Sequence, residues 1–201
     1  IYIIYFLLPA SIGLAILGKP IIRTLFERGS FTYEATLMTY SCLIYYSLGL
    51  VFFSISKIFI SSFYAMKKTY IPVKIAAICV VINLFLNIIL MQYLEVGGLA
   101  LATTITSVLS CWLLYKNLKL NIEIKIFNSE MQKFLLKIFV ANFTMFLSIL
   151  IIRIYFHNIF IVTFFGVMSG SIIYFLSSKI LKIEETSLFI TLFTKLIKTA
   201  N

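Results

Sequence analysis

The chain has 201 residues, of which 62% are hydrophobic and 12% charged, with a formal net charge of +10 at pH 7 and a mean hydropathy of +1.07. Soluble domains use about 45–50% apolar residues, so a single water-soluble core is excluded and most of these side chains must be solvated by lipid or by other helices. The basic excess does not point to nucleic acid, because no aromatic-interleaved basic groove accompanies it.

Crossing about 30 Å of hydrocarbon takes about 20 helical residues. The apolar runs predict helices at roughly 1–17, 37–66, 71–94, 96–115, 134–152 and 158–181, an all-α, polytopic transmembrane helical bundle of six helices. Runs this continuous lack the in/out alternation of a membrane barrel. The first run opens on Ile1 with no initiator Met, so the chain is expected to be part of a larger protein. The first span lacks a basic n-region and leads into further membrane helices, so it is not expected to be a secretory signal peptide.

Pro20 is expected to break the first span. A short amphipathic segment and a turn at Gly29 then lead to Thr32 or Thr36 as the cap of the second helix. That helix is longer than a bilayer requires and is expected to tilt or project. The third and fourth helices meet at Glu95-Val96-Gly97-Gly98, where the glycines are expected to supply permissive backbone angles. A polar stretch from Lys116 to Lys133 then divides the chain. Residues 1–120 form four helices of a core bundle, and residues 121–201 form a loop, a two-helix hairpin and a tail. In that tail Leu188, Leu192, Phe193, Leu196 and Ile197 recur at helical spacing, which suits an amphipathic helix in the membrane interface; a frayed end is the alternative.

Cytoplasmic loops retain Lys and Arg. Twelve of the 17 basic residues lie on one side: Lys67, Lys68, Lys74, Lys116, Lys119, Lys125, Lys133, Lys137, Lys179, Lys182, Lys195 and Lys198. Four lie on the other side: Lys19, Arg23, Arg28 and Arg153. The C-terminus is therefore expected in the cytoplasm, and the positive charge reports topology and attraction to anionic membrane lipids. Cys42, Cys79 and Cys111 sit inside predicted helices without a CxxC or metal spacing, which favours packing. His157 has no identifiable catalytic partner, and no Walker A or GxGxxG pattern occurs. An enzyme is the weakest reading, and any driving force would be an ion gradient or the membrane potential.

A charge within a span is expensive in hydrocarbon, which singles out Lys57. Ser47, Ser54, Lys57, Ser61 and Tyr64 share one helical face, expected to line the bundle interior. Lys57 then either attracts an anionic group such as a phosphate, with Ser54 and Ser61 beside it, or snorkels over roughly 13 Å to the lipid heads. Asn83 and Asn87 form an i,i+4 pair, and Ala100, Thr103, Ser107 and Ser110 form a small, polar stripe on the next helix. Interhelical hydrogen bonding is one reading; a monovalent cation site at Asn83, Asn87 and Thr103, consistent with sodium coupling, is the other. These two helices carry no carboxylate and the chain has no Asp, so a charged ligand is expected to come from a segment outside this chain. Glu27 and Arg28 are either a gate that pairs with another lobe or simply the solvated residues of a loop.

Pro20-Ile21-Ile22 followed by Leu25-Phe26-Glu27-Arg28-Gly29-Ser30-Phe31-Thr32 resembles the "pii.llf.rG.Ft" signature of the MurJ/MviN family, the peptidoglycan lipid II flippases. Tyr46, Gly49, Lys57, Phe63-Tyr64-Ala65, Thr69, Pro72-Val73-Lys74, Asn83, Asn87 and Gly97-Gly98-Leu99-Ala100-Leu101-Ala102-Thr103 follow in order. The resemblance covers residues 1 to about 120 and implies the C-terminal part of a fourteen-helix transporter of the multidrug/oligosaccharidyl-lipid/polysaccharide exporter superfamily. It also implies a bacterial inner-membrane location, a missing N-terminal lobe as partner, and lipid II or a related polyprenyl-diphosphate glycan as substrate, moved by alternating access. The last two helices are implied to contribute a groove for the lipid tail. Competing readings are a flippase for another polyprenyl-linked glycan, a drug/cation antiporter of the same superfamily, and a non-transporting membrane fragment.

Overall fold

A computed structural model describes residues 1–121, 129–156 and 158–187. His157 and the expected tail helix, Leu188 to Ile197, lie outside the described residues. The described residues contain no strand. Helices run over α1 (Tyr2–Phe26), α2 (Tyr33–Ala65), α3 (Tyr70–Asn121), α4 (Ser129–Tyr155) and α5 (Ile159–Ile180). All five are long and apolar enough to cross a membrane. The chain divides into two compact units, one from Ala10 onward through α1–α3, the other joining Ile1–Pro9 to α4 and α5.

α3 is two helices. Glu95 interrupts it at φ 50°, ψ −130°, and the chain doubles back there. The Asn83 Nδ2 accordingly reaches Thr106 Oγ1, 23 residues later, at 3.2 Å. Each arm is itself long enough for the hydrocarbon core, which completes the six expected helices. The turn differs from expectation in one respect: Glu95, not a glycine, takes the positive φ. Gly98 is needed for close approach, since a Cβ there would overlap the Leu90 carbonyl of the opposite arm.

Pro20 does not break α1, which continues to Phe26. An internal proline deletes one helical bond, but a membrane helix keeps all its other bonds because lipid offers no substitute partners. Burial of Leu17 and Ile22 on either side of Pro20 holds the helix together. Gly29, at φ 62°, makes the turn instead. Thr32 is the cap of α2, accepting from the Ala35 amide at 3.3 Å. α1 lies close on α2: Tyr40 donates to the Ala15 carbonyl at 2.8 Å, and a Cβ on Gly18 would meet Leu43 at 2.8 Å.

α2 approaches the second arm of α3 through Gly49, where a Cβ would lie 2.9 Å from Thr104 Oγ1. Thr104 donates to the Tyr45 carbonyl at 2.7 Å. Below this contact Phe63, Ile71, Ile75, Leu114 and Leu118 form an apolar core. The first arm of α3 instead presents Val80, Leu84, Phe85 and Ile88, all more than half exposed, a surface suited to lipid.

In the other unit α4 buries Phe134, Ile138, Ala141, Met145 and Ile149. α5 meets them with Val162, Gly166, Gly170, Tyr174 and Ser178. A Cβ on Gly170 would stand 3.0 Å from Ile149 Cδ1, the close approach that small residues permit between membrane helices.

Candidate functional site

The polar face of α2 does not lie wholly inside. Ser47 is 2% exposed, and the Ser11 hydroxyl of α1 donates to its carbonyl. Ser54 is half-buried, while Lys57, Ser61 and Tyr64 are exposed. The buried side of this half of α2 carries Ser56 and Phe63 against α3. Among the described residues, then, the stripe is covered at Ser47 and open from Lys57 onward. Helical periodicity groups residues on a face, but the neighbours decide which face is covered, and here α3 takes the opposite one. What remains is an ammonium with two serine hydroxyls at i−3 and i+4 on an open face of an apolar helix. It can offer three donors to an anion.

Glu27 and Arg28 are neighbours in sequence with separate partners. Arg23 Nε and Nη2 donate to the Glu27 carboxylate at 2.9 and 3.1 Å, and Thr36 Oγ1 donates to Glu27 Oε2 at 2.9 Å. Arg28 Nη2 donates to the Leu25 carbonyl at 2.7 Å. The Arg23 hydrogen bonds hold Glu27 below the ordinary carboxylate value of 4.5; partial burial opposes them, while Thr36 and the charges of Arg23 and Lys19 add to them. Glu27 thereby ties the end of α1 to the first turn of α2. Lys19 donates to the Tyr33 hydroxyl at 2.8 Å, and Arg23 lies 5.3 Å from the Tyr33 ring centroid. The sequence marks Arg23 only as a basic residue and Thr36 only as a candidate cap, and it does not single out Tyr33. The i,i+4 spacing of Arg23 and Glu27 was the available signal, hidden by the supposed break at Pro20.

Asn83 and Asn87 do meet: Asn87 Nδ2 donates to Asn83 Oδ1 at 3.0 Å. The residue facing them from the second arm is Thr106, not Thr103. The Thr103 hydroxyl donates instead to the Leu99 carbonyl of its own helix at 2.9 Å. Asn87 Oδ1 is buried and accepts no hydrogen bond. One open oxygen is too few for a cation, which takes several oxygen ligands, so the residues as packed do not fit a bound ion. No cluster of His, Cys, Asp or Glu able to hold a metal occurs among the described residues.

A family model described as "Lipid II flippase MurJ" matches residues 2–171. The chain is 32% identical over 192 residues to the probable lipid II flippase MurJ of Buchnera aphidicola subsp. Acyrthosiphon pisum, covering 90% of this chain and 37% of that protein. It is 32% identical over 182 residues to the probable lipid II flippase MurJ of Thermotoga maritima, covering 90% of this chain and 36% of that one. A solved structure described as "Lipid II flippase MurJ, inward closed conformation" matches with a TM-score of 0.76 at 31% identity, covering 88% of this chain and 36% of that one. The chain spans about a third of the length of these relatives. With six apolar helices, the order of its motifs and these matches, the chain is a multi-pass membrane protein that belongs to the lipid II flippase MurJ family.

Proposed function

We propose that the chain forms the C-terminal part of a transporter that carries lipid II, an undecaprenyl-diphosphate-linked disaccharide-pentapeptide, across the bacterial inner membrane by alternating access. The observation that carries this reading is Lys57, exposed on α2 between Ser54 and Ser61. On an apolar helix face, an ammonium from which a bound substrate excludes water attracts a diphosphate more strongly than it would in bulk water. Serine hydroxyls on the same face add donors to the same oxygens. The uneven distribution of Lys and Arg supports a cytoplasmic C-terminus. The membrane potential supplies about 2.3 kcal/mol per elementary charge per 100 mV, enough to bias a cycle in which charge moves with the substrate.

The test is Lys57→Ala and Lys57→Arg, in cells depleted of their own lipid II flippase and supplied with a family N-terminal lobe. A charge-assisted hydrogen bond contributes about 1.5–3 kcal/mol, so Lys57→Ala should slow flipping at least tenfold with insertion unchanged, and Lys57→Arg should retain most of it. Unaltered flipping in Lys57→Ala would return Lys57 to the lipid heads. Failure of the unmutated chain to restore growth would favour another polyprenyl-linked glycan as cargo, or a fragment that does not transport.

A further inference from the structure

In an α-helix the carbonyl of residue i accepts from the amide of residue i+4. Pro9 has no amide hydrogen, so the Tyr5 carbonyl has no donor within α1. Tyr5 is fully buried, where an unpaired carbonyl is costly. The vacancy is filled from another helix: the Tyr174 hydroxyl of α5 donates to the Tyr5 carbonyl at 2.6 Å. The Tyr5 side chain is engaged as well, since its hydroxyl shares a 2.9 Å hydrogen bond with Thr186 Oγ1 in the segment after α5. The two tyrosine rings lie 5.4 Å apart, tilted by 47°. Tyr174 and Thr186 are 3% and 2% exposed, so water does not compete for either bond.

Pro9 is also the last residue of α1 that belongs to the unit containing α4 and α5; Ala10 begins the other unit. The same proline therefore does two things. It weakens α1 at this boundary, and it exposes the one backbone acceptor through which α5 can hold the first two turns.

We propose that Pro9, Tyr5 and Tyr174 form a releasable clasp. With the Tyr174 hydroxyl on the Tyr5 carbonyl, the first two turns of α1 are held to the α4–α5 hairpin, and loss of that bond frees them. Tyr174 is a positioning residue that acts through backbone, and the clasp operates whatever the cargo is.

The experiment is hydrogen–deuterium exchange on the full chain in lipid nanodiscs, comparing the unmutated protein with Tyr174→Phe, Pro9→Ala and the double variant. Tyr174→Phe keeps the ring and removes only the donor, so amides of Tyr5 to Leu8 should exchange about tenfold faster, the scale of one lost buried hydrogen bond. Pro9→Ala returns an amide to the Tyr5 carbonyl, so the double variant should exchange within about twofold of Pro9→Ala alone. A purely structural role for Tyr174 would not be rescued by restoring a helical amide at position 9. Absence of that rescue, unchanged exchange in Tyr174→Phe, or faster exchange spread evenly through α4 and α5 would overturn the clasp.

Discussion

Replacing Gly98 by alanine tests the hairpin of α3 at its tightest point. The atoms nearest the added methyl all belong to the backbone of the opposite arm: it overlaps the Leu90 carbonyl and lies 2.8 Å from the Met91 nitrogen. Backbone cannot rotate aside, so the arms must part. Overpacking of this kind costs about 1–3 kcal/mol. Parting also stretches the 3.2 Å bond from Asn83 to Thr106, a loss of about 0.6 kcal/mol between membrane helices. Alanine recovers up to about 1 kcal/mol of helix propensity, leaving a net destabilisation of about 1–2 kcal/mol. For a chain of this size each kcal/mol moves Tm by about 2–4 °C, so Gly98→Ala should melt about 2–8 °C lower in detergent. Gly97→Ala is the control, because its methyl would meet the Ser41 hydroxyl and the Tyr45 ring at 3.1 Å, side chains that can give way. Glu95→Gly should raise Tm, since it relieves a positive φ that costs a non-glycine residue about 1–3 kcal/mol. A Gly98→Ala protein that melts at or above the unmutated one would refute the close approach of the arms.

Two further outcomes are expected. Glu27 has a folded-state pKa below 4.5, so its link between α1 and α2 contributes stability above that value and loses it as pH falls through the lowered one. Tm should hold from neutral pH to about 4.5 and then decline, and Glu27→Gln should remove that part of the decline; an identical acid profile in Glu27→Gln would show that other carboxylates are responsible. Because Asn83 Oδ1 accepts from Asn87 and the Thr103 hydroxyl donates within its own helix, exchanging sodium for potassium should leave Tm unchanged. A sodium-specific rise that Asn87→Leu abolishes would show that the pair rearranges to hold the ion.

The helices were legible because their signal is length: a bilayer demands about 20 apolar residues and the chain supplies them six times. Exact ends were less legible. Pro20 reads as a stop by intrinsic propensity, yet lipid removes the alternative partners that make stopping favourable in water. The pairing of Asn83 with Asn87 follows from i,i+4 spacing alone. Its partner on the second arm does not, because shifting the turn by one residue rotates that arm by about 100°, enough to exchange Thr103 for Thr106. The α2 face was recognised as a group while its cover was not, since periodicity carries no information about which neighbour arrives. Nothing in the local sequence connects Tyr174 to Tyr5, 169 residues away; only the proline four residues after Tyr5 marks that carbonyl as available.

The short link at Glu95 bears on how the protein enters its membrane. Asparagine side chains are among the costlier groups to pass into hydrocarbon on a lone helix. With the arms of α3 joined by so tight a turn, the Asn87–Asn83–Thr106 chain of hydrogen bonds needs only the two arms, and no residue of α4 takes part in it. A pair of arms entering lipid together would carry the Asn83 and Asn87 amide groups hydrogen-bonded to one another and to Thr106, which lowers the cost that either arm would meet alone.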